Sequence, residues 1–140
     1  GRSFPLTAHF LQGLPIDAVR QQVSALGVPD ALAEPFWMMA RDNITTLSDL
    51  GRWWDLCRDG AEPMIAEEDR AFVAEAMALL PDGPFAADTW ANWTAAVKTA
   101  TGRKGKSLFM PLRKAITGLE RGPEMAALMP LLQIVRARSD

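Results

Sequence analysis

Thr101-Gly102-Arg103-Lys104-Gly105-Lys106-Ser107-Leu108-Phe109-Met110-Pro111-Leu112-Arg113-Lys114-Ala115-Ile116-Thr117-Gly118, with Gly122-Pro123 close behind, holds the key to both fold and chemistry. Gly102 stops one helix, and a short basic loop follows. An amphipathic run from about Ser107 to Thr117, with Pro111 near its first turn, makes the next helix, and Thr117-Gly118 closes it. Pro123 then opens a final helix that the spacing carries to about Arg136.

The same pattern of helix, stop and loop extends upstream, and no segment alternates as a strand would. Pro15 to Leu26 puts Ile16, Val19, Val23 and Leu26 on one stripe, with Gly27 as the stop. Asp30 caps a second helix holding Leu32, Phe36, Trp37, Met38 and Met39, in which Pro35 falls within the first turns. A third begins near Thr46, with Asp49 three residues on as a capping box, and ends at Asp59-Gly60. The fourth, about Glu67 to Leu80, starts with carboxylates that suit the positive end of a helix dipole. After the turn Pro81-Asp82-Gly83-Pro84, Asp88 or Thr89 caps a fifth helix containing Trp90, Trp93 and Val97. The expectation is an all-α, irregular bundle of about seven helices. It makes one domain over 1–140, with two helical subdomains at roughly 1–65 and 66–140.

Charge is divided unevenly along this bundle. The chain has 140 residues and a net charge of −2. Residues 1–97 hold six Lys and Arg against fourteen Asp and Glu, whereas residues 98–140 hold nine against three. A basic third on an acidic body marks a polyanion-binding face. Arg103, Lys104 and Lys106 lie too close together for a single helix stripe, and Gly102 and Gly105 let backbone amides approach an anion. Arg113, after Pro111 near a helix start, can be held for bidentate contact with a base or phosphate. Two helix junctions joined by one short helix give a concave, donor-rich rim. Such a rim suits the splayed bases of an RNA loop better than a regular duplex.

Other chemistry finds little support. No nucleophile elbow, P-loop, dinucleotide-binding glycine run or H-E-x-x-H occurs. His9 and Cys57 are single, so no zinc site and no internal disulfide are expected. Glu67, Glu68 and Asp69 splay to different helix faces and cannot converge on one ion. Trp53/Trp54 and Trp90/Trp93 have the spacing of core stripes, although aromatic rings can also stack unpaired bases. No apolar run approaches a membrane span, and the N-terminus lacks a signal-peptide succession, so a cytoplasmic protein is expected. Two rivals stay open on these residues. One is a helical DNA-binding regulator, which needs an exposed recognition helix; the other is a protein-interaction bundle with a solubilising basic face.

The run T-G-R-K-G-K…P-L-R-K-A-I-T-G…G-P-E-M over 101–125 resembles the C-terminal anticodon-binding domain of bacterial glutamyl-tRNA synthetases. Weaker similarities cover most of the remaining chain: His9-Phe10-Leu11, Leu14-Pro15-Ile16-Asp17, Thr46-Leu47-Ser48-Asp49-Leu50, Trp93, and Leu128 to Leu132. The resemblance implies a domain that binds the anticodon arm of tRNA(Glu), with no DNA or membrane partner. By position, base contacts fall on Arg113 and on the turn Gly122, Pro123 and Met125, while Arg103, Lys104, Lys106 and Lys114 would hold phosphates. The family often places an arginine three residues before its T-L element, where it reads the third anticodon base. Here that position is Asn43, with Arg41 two residues earlier. Asn both donates and accepts, so relaxed discrimination is expected, extending to tRNA(Gln).

Gln133 stands where the family usually has glycine, and the tail ends early at Ser139-Asp140. The catalytic half, with its ATP and Mg, is absent from this chain, so the fragment itself is expected to bind without catalysing and to need no cofactor or metal. It reads as an excised domain, with Gly1 a cloning remnant.

Overall fold

Helix boundaries fall where the sequence stops supplying donors or turn-free backbone. The computed structural model describes residues 9–138, so Gly1 and the Ser139-Asp140 tail lie outside the described residues. Among the described residues no strand occurs. A helical turn over 9–12 precedes α1 (Ile16–Ala25), α2 (Ala33–Ala40), α3 (Leu50–Asp59), α4 (Arg70–Leu79), α5 (Thr89–Thr101), α6 (Lys106–Thr117) and α7 (Met125–Leu128). Short 3-10 turns lead into α2, α3 and α4. Another, Arg41–Asn43, follows α2 directly.

Local signals account for most of these ends. Pro15 is the N-cap of α1. The Thr46–Asp49 capping box forms: Asp49 Oδ2 accepts from the Thr45 and Thr46 amides at 2.9 and 3.2 Å. Those bonds to the ionised form hold the Asp49 carboxyl below its ordinary value. Gly102 and Gly118 end α5 and α6 in the left-handed conformation. Two expected starts, at Asp30 and at Pro111, are corrected, while Asp88 takes the expected N-cap position. Asp30 caps nothing and its carboxylate instead meets Arg20 at 3.2 Å. Asp88 is the α5 N-cap without a side-chain bond, while Thr89 Oγ1 accepts from the Ala86 amide at 2.7 Å. Pro111 is an interior residue of α6, which begins at Lys106.

The largest departure is the last helix. It was expected from Pro123 to about Arg136, but α7 covers four residues and passes into the 3-10 turn Met129–Leu131. Pro130 lacks the amide that would continue the ladder, and Leu132 is extended. The chain beyond it becomes a strap. The Gln133 amide donates to the Cys57 carbonyl at 2.8 Å, and Arg136 Nε to the Asp59 carbonyl at 2.9 Å. Arg138 reaches the Pro81 carbonyl at 2.7 Å. Gln133 therefore lies in the strap, outside any helix.

One apolar cluster runs from Ile16 to Leu132 and includes Phe36, Trp37, Trp54, Trp93, Leu112, Ile116 and Leu128. Phe36 and Trp54 meet edge to face at 5.7 Å, a favourable arrangement for aromatic quadrupoles. Buried indoles need partners, and they find backbone carbonyls: Trp37 Nε1 donates to Leu14 at 2.7 Å and Trp93 Nε1 to Ala76 at 2.8 Å.

Cys57 is fully buried in this cluster, and burial pushes its thiol up to about 12. The unfolded thiol ionises near 8.5. Above that pH the unfolded chain binds fewer protons than the folded one, so stability falls as pH rises, by at most about 1.4 kcal/mol per pH unit. Denaturant titrations between pH 8 and 11 are expected to show this fall reduced in Cys57→Ala. A Cys57 that reacts with a thiol reagent as fast in the native chain as in denaturant would contradict it.

Candidate nucleic-acid interface

α6 brings most of the expected residues to one side of the fold. It buries Leu108, Leu112, Ala115 and Ile116 against the core, which leaves Lys106, Phe109, Arg113 and Lys114 exposed or half-buried. Arg113 sits in the second half of the helix, away from the start where the sequence suggested it. Its Nη1 donates to the Pro123 carbonyl at 2.8 Å, which ties the helix to the turn Gly122-Pro123. Burial lowers the guanidinium's proton affinity and the Glu124 carboxylate partly restores it. A guanidinium starts so high that it stays charged at neutral pH.

A single indole joins this turn to the other expected base-reading residue. Trp53 Nε1 donates to the Asn43 carbonyl at 3.3 Å. The far edge of the same ring lies 3.6 Å from where a Gly122 side chain would begin, and Arg113 Nη1 is 3.6 Å from that point. Asn43 and Arg113 are thus one tryptophan apart, although they are 70 residues apart in sequence. Asn43 is half-buried and ends the 3-10 turn after α2. Arg41, in the same turn, points a long 3.5 Å bond at the Leu14 carbonyl, and its buried Nε has no partner among the described residues.

Other expected contacts are placed differently. Arg103 is turned inward: Nη1 meets Asp69 Oδ1 at 2.8 Å and the Ser107 carbonyl at 3.1 Å, while the guanidinium lies 4.0 Å over the Phe72 ring. Ser107 is four residues before Pro111, so it is the carbonyl that the proline leaves without an amide. Arg103 fills that vacancy, so its guanidinium clamps the loop to α6 and α4. Met125 is buried. Pro123 is buried as well. α7 has four residues, and two of its amides, Ala127 and Leu128, bond to Glu124. The amides at the start of that helix, Met125 and Ala126, form no hydrogen bond among the described residues, as the sequence led one to expect.

Lys104 and Lys106 are exposed, Lys114 is half-buried, and among the described residues none of the three forms an ion pair. With Gly105 at φ 60° and open space around both loop glycines, an anion has an unobstructed approach to the loop. Sequence reasoning missed Arg52, whose guanidinium lies 4.8 Å over the Trp53 ring. It lies in the acidic two-thirds of the chain, where net charge hid it. Phe109 was missed too. It is 44% exposed, and its ring centroid is 6.3 Å from that of Trp90. Among the described residues, no group of acidic, His or Cys side chains is placed to hold a metal ion, and no helix is long and apolar enough to cross a membrane.

Residues 28–138 match a family described as "Anticodon binding domain". The chain is 71% identical over 135 residues to glutamate–tRNA ligase 1 of Ruegeria pomeroyi, an alignment covering 96% of this chain and 30% of that protein. It is 64% identical over 135 residues to glutamate–tRNA ligase 1 of Cereibacter sphaeroides, covering 96% of this chain and 31% of the relative. Glutamate–tRNA ligase 2 of a Ruegeria species is 62% identical with the same coverage. The chain spans about 30% of the length of the curated relatives it matches.

Proposed function

Since this chain belongs to the anticodon-binding domain family, we propose that it binds the anticodon arm of tRNA(Glu) as part of a glutamate–tRNA ligase. The observation that carries this is the junction of Arg113, the Gly122-Pro123 turn, Trp53 and Asn43. A half-buried guanidinium with donors to spare, one indole away from an asparagine whose amide both donates and accepts, suits base edges better than phosphates. Lys104, Lys106 and Lys114 supply the sequence-independent attraction to the backbone. Arg103 contributes by holding the loop in shape.

Both halves of the chain take part in this reading. Asn43 and Arg41 come from residues 1–65, while Arg113 and the lysines come from 66–140. The ATP- and Mg-dependent step belongs to the part of such ligases that this chain does not span, in a cytoplasmic protein. Asn43 has a shorter reach than the arginine often found there, which supports recognition of tRNA(Gln) as well as tRNA(Glu).

The test is binding to tRNA(Glu), tRNA(Gln) and an unrelated tRNA over a salt series. The expected result is a preference for the first two by at least about tenfold, equivalent to 1.4 kcal/mol, with affinity falling as salt rises. Equal affinity for all three would reduce the domain to a nonspecific polyanion binder. A strong preference for tRNA(Glu) over tRNA(Gln) would remove only the relaxed discrimination.

A further inference from the structure

We propose that the cleft between α5, α6 and the start of α7 is a stacking site for one unpaired base of the bound RNA, with the Phe109 ring as its platform. This rests on the anticodon-arm reading and names a subsite within it. The cleft has a volume of about 390 Å³ and is lined by Trp90, Lys106, Phe109, Arg113, Glu124 and Met125, among others. A nucleobase needs an apolar face to stack on, a cation near its phosphate and hydrogen-bonding groups at its edge. The cleft holds all three.

Phe109 supplies the face. It is 44% exposed, which is costly for a large apolar ring unless something covers it. Trp90 stands beside it with the planes inclined at 36° and the centroids 6.3 Å apart, so the two rings make an open-angled wall in place of a closed stack. Trp90 is itself held by Trp93, 5.7 Å away, whose indole N–H is tied to the Ala76 carbonyl. The wall is therefore braced from the core. Lys106 provides the exposed cation, three residues before Phe109 and on the same side of α6. Arg113 and Glu124 supply the edge. A carboxylate only accepts, so Glu124 favours a base that presents an amino or imino donor.

A peptide would also find apolar surface here, but two of the three charged side chains that line the cleft are cations. Its charges suit a phosphodiester, and it is continuous with Arg113 and so with the proposed anticodon interface.

The experiment places 2-aminopurine, one position at a time, in the anticodon loop of a tRNA(Glu) stem-loop, and titrates each with this chain. At one loop position the wild type is expected to quench the fluorophore on binding. Phe109→Ala should abolish that quenching and weaken binding about tenfold. Phe109→Trp should restore both; Phe109→Leu, which keeps apolar bulk without a ring, should not. Circular dichroism checks that each variant keeps its helices.

If Phe109→Ala and Phe109→Leu bind and quench as the wild type does, while Arg113→Ala binds more weakly, the stacking site is wrong and the anticodon reading survives. If Phe109→Leu restores binding fully, the platform is mere packing and the proposal fails. If the wild type does not bind the stem-loop at all, the anticodon reading fails and the subsite with it.

Discussion

Arg113→Ala is expected to weaken binding of the tRNA(Glu) anticodon arm by about 1–3 kcal/mol, roughly five- to 150-fold, and to relax preference at one anticodon position. The magnitude follows from where the side chain stands. One Nη1 donor is committed to the Pro123 carbonyl at 2.8 Å, which fixes the plane of the fork. The remaining donors are then aimed without further loss of side-chain freedom, and partial burial strengthens any bond they make. Arg113→Lys should not recover the loss, because an ammonium cannot bond the carbonyl and span a base edge together. Binding isotherms against stem-loops substituted at each anticodon position provide the check. An equal loss for every anticodon would assign Arg113 to a phosphate, and an unchanged affinity would remove it from the interface. Thermal melts of the free variants separate this from damage to the turn, since losing a charged hydrogen bond also costs about 1.5–3 kcal/mol of stability.

Gly118→Ala is expected to be the most damaging small substitution in the fold. Gly118 has φ +71°, a conformation that strains a side-chain-bearing residue by about 1–3 kcal/mol. Steric clash adds to that strain. An added Cβ would lie 2.6 Å from the Glu62 carbonyl oxygen, a backbone atom that cannot swing aside. The loop that would have to move is the one whose Met64 amide bonds the Lys114 carbonyl at 3.0 Å. A loss of about 3 kcal/mol or more follows, with a melting temperature lower by roughly 10 °C. Gly51→Ala is the control. Gly51 lies inside α3, and its nearest outside neighbour would be a Leu26 methyl at 3.9 Å. Alanine there should stabilise by about 0.5–1 kcal/mol. If both substitutions were equally mild, the close approach of the 60–66 loop to α6 would be wrong.

How far the residues announced these arrangements depends on the range of the interaction. Gly102, Gly118 and the Thr46–Asp49 box act on neighbours within a turn, so the helices they bound were legible. Arg113 and Asn43 were reachable through motif resemblance, but the indole joining them was not. Trp53 has the spacing of a core residue and is one, 4% exposed, while its two edges serve the site. The short α7 was misread because Leu128, Met129, Leu131 and Leu132 look like a helix stripe, yet all four are buried. That much burial suits a short segment enclosed on all sides, and Pro130 ends its ladder. Arg103 was read only as a loop cation because Asp69, which it pairs with in the fold, lies 34 residues away. No local pattern records that pairing.

The Arg103 clamp also constrains how this sequence can drift. Its guanidinium answers three demands together: a carboxylate, an aromatic face, and the carbonyl that Pro111 orphans. Lysine would preserve the charge and the basic look of the loop while leaving at least one of those demands unmet. Positions 103 and 111 therefore form a dependent pair. A lineage that exchanged Pro111 for a residue with an amide would release Arg103 from part of its duty, and only then would the loop be free to vary as its surface position suggests. What reads as a run of interchangeable cations contains one residue whose identity is set from inside the neighbouring helix.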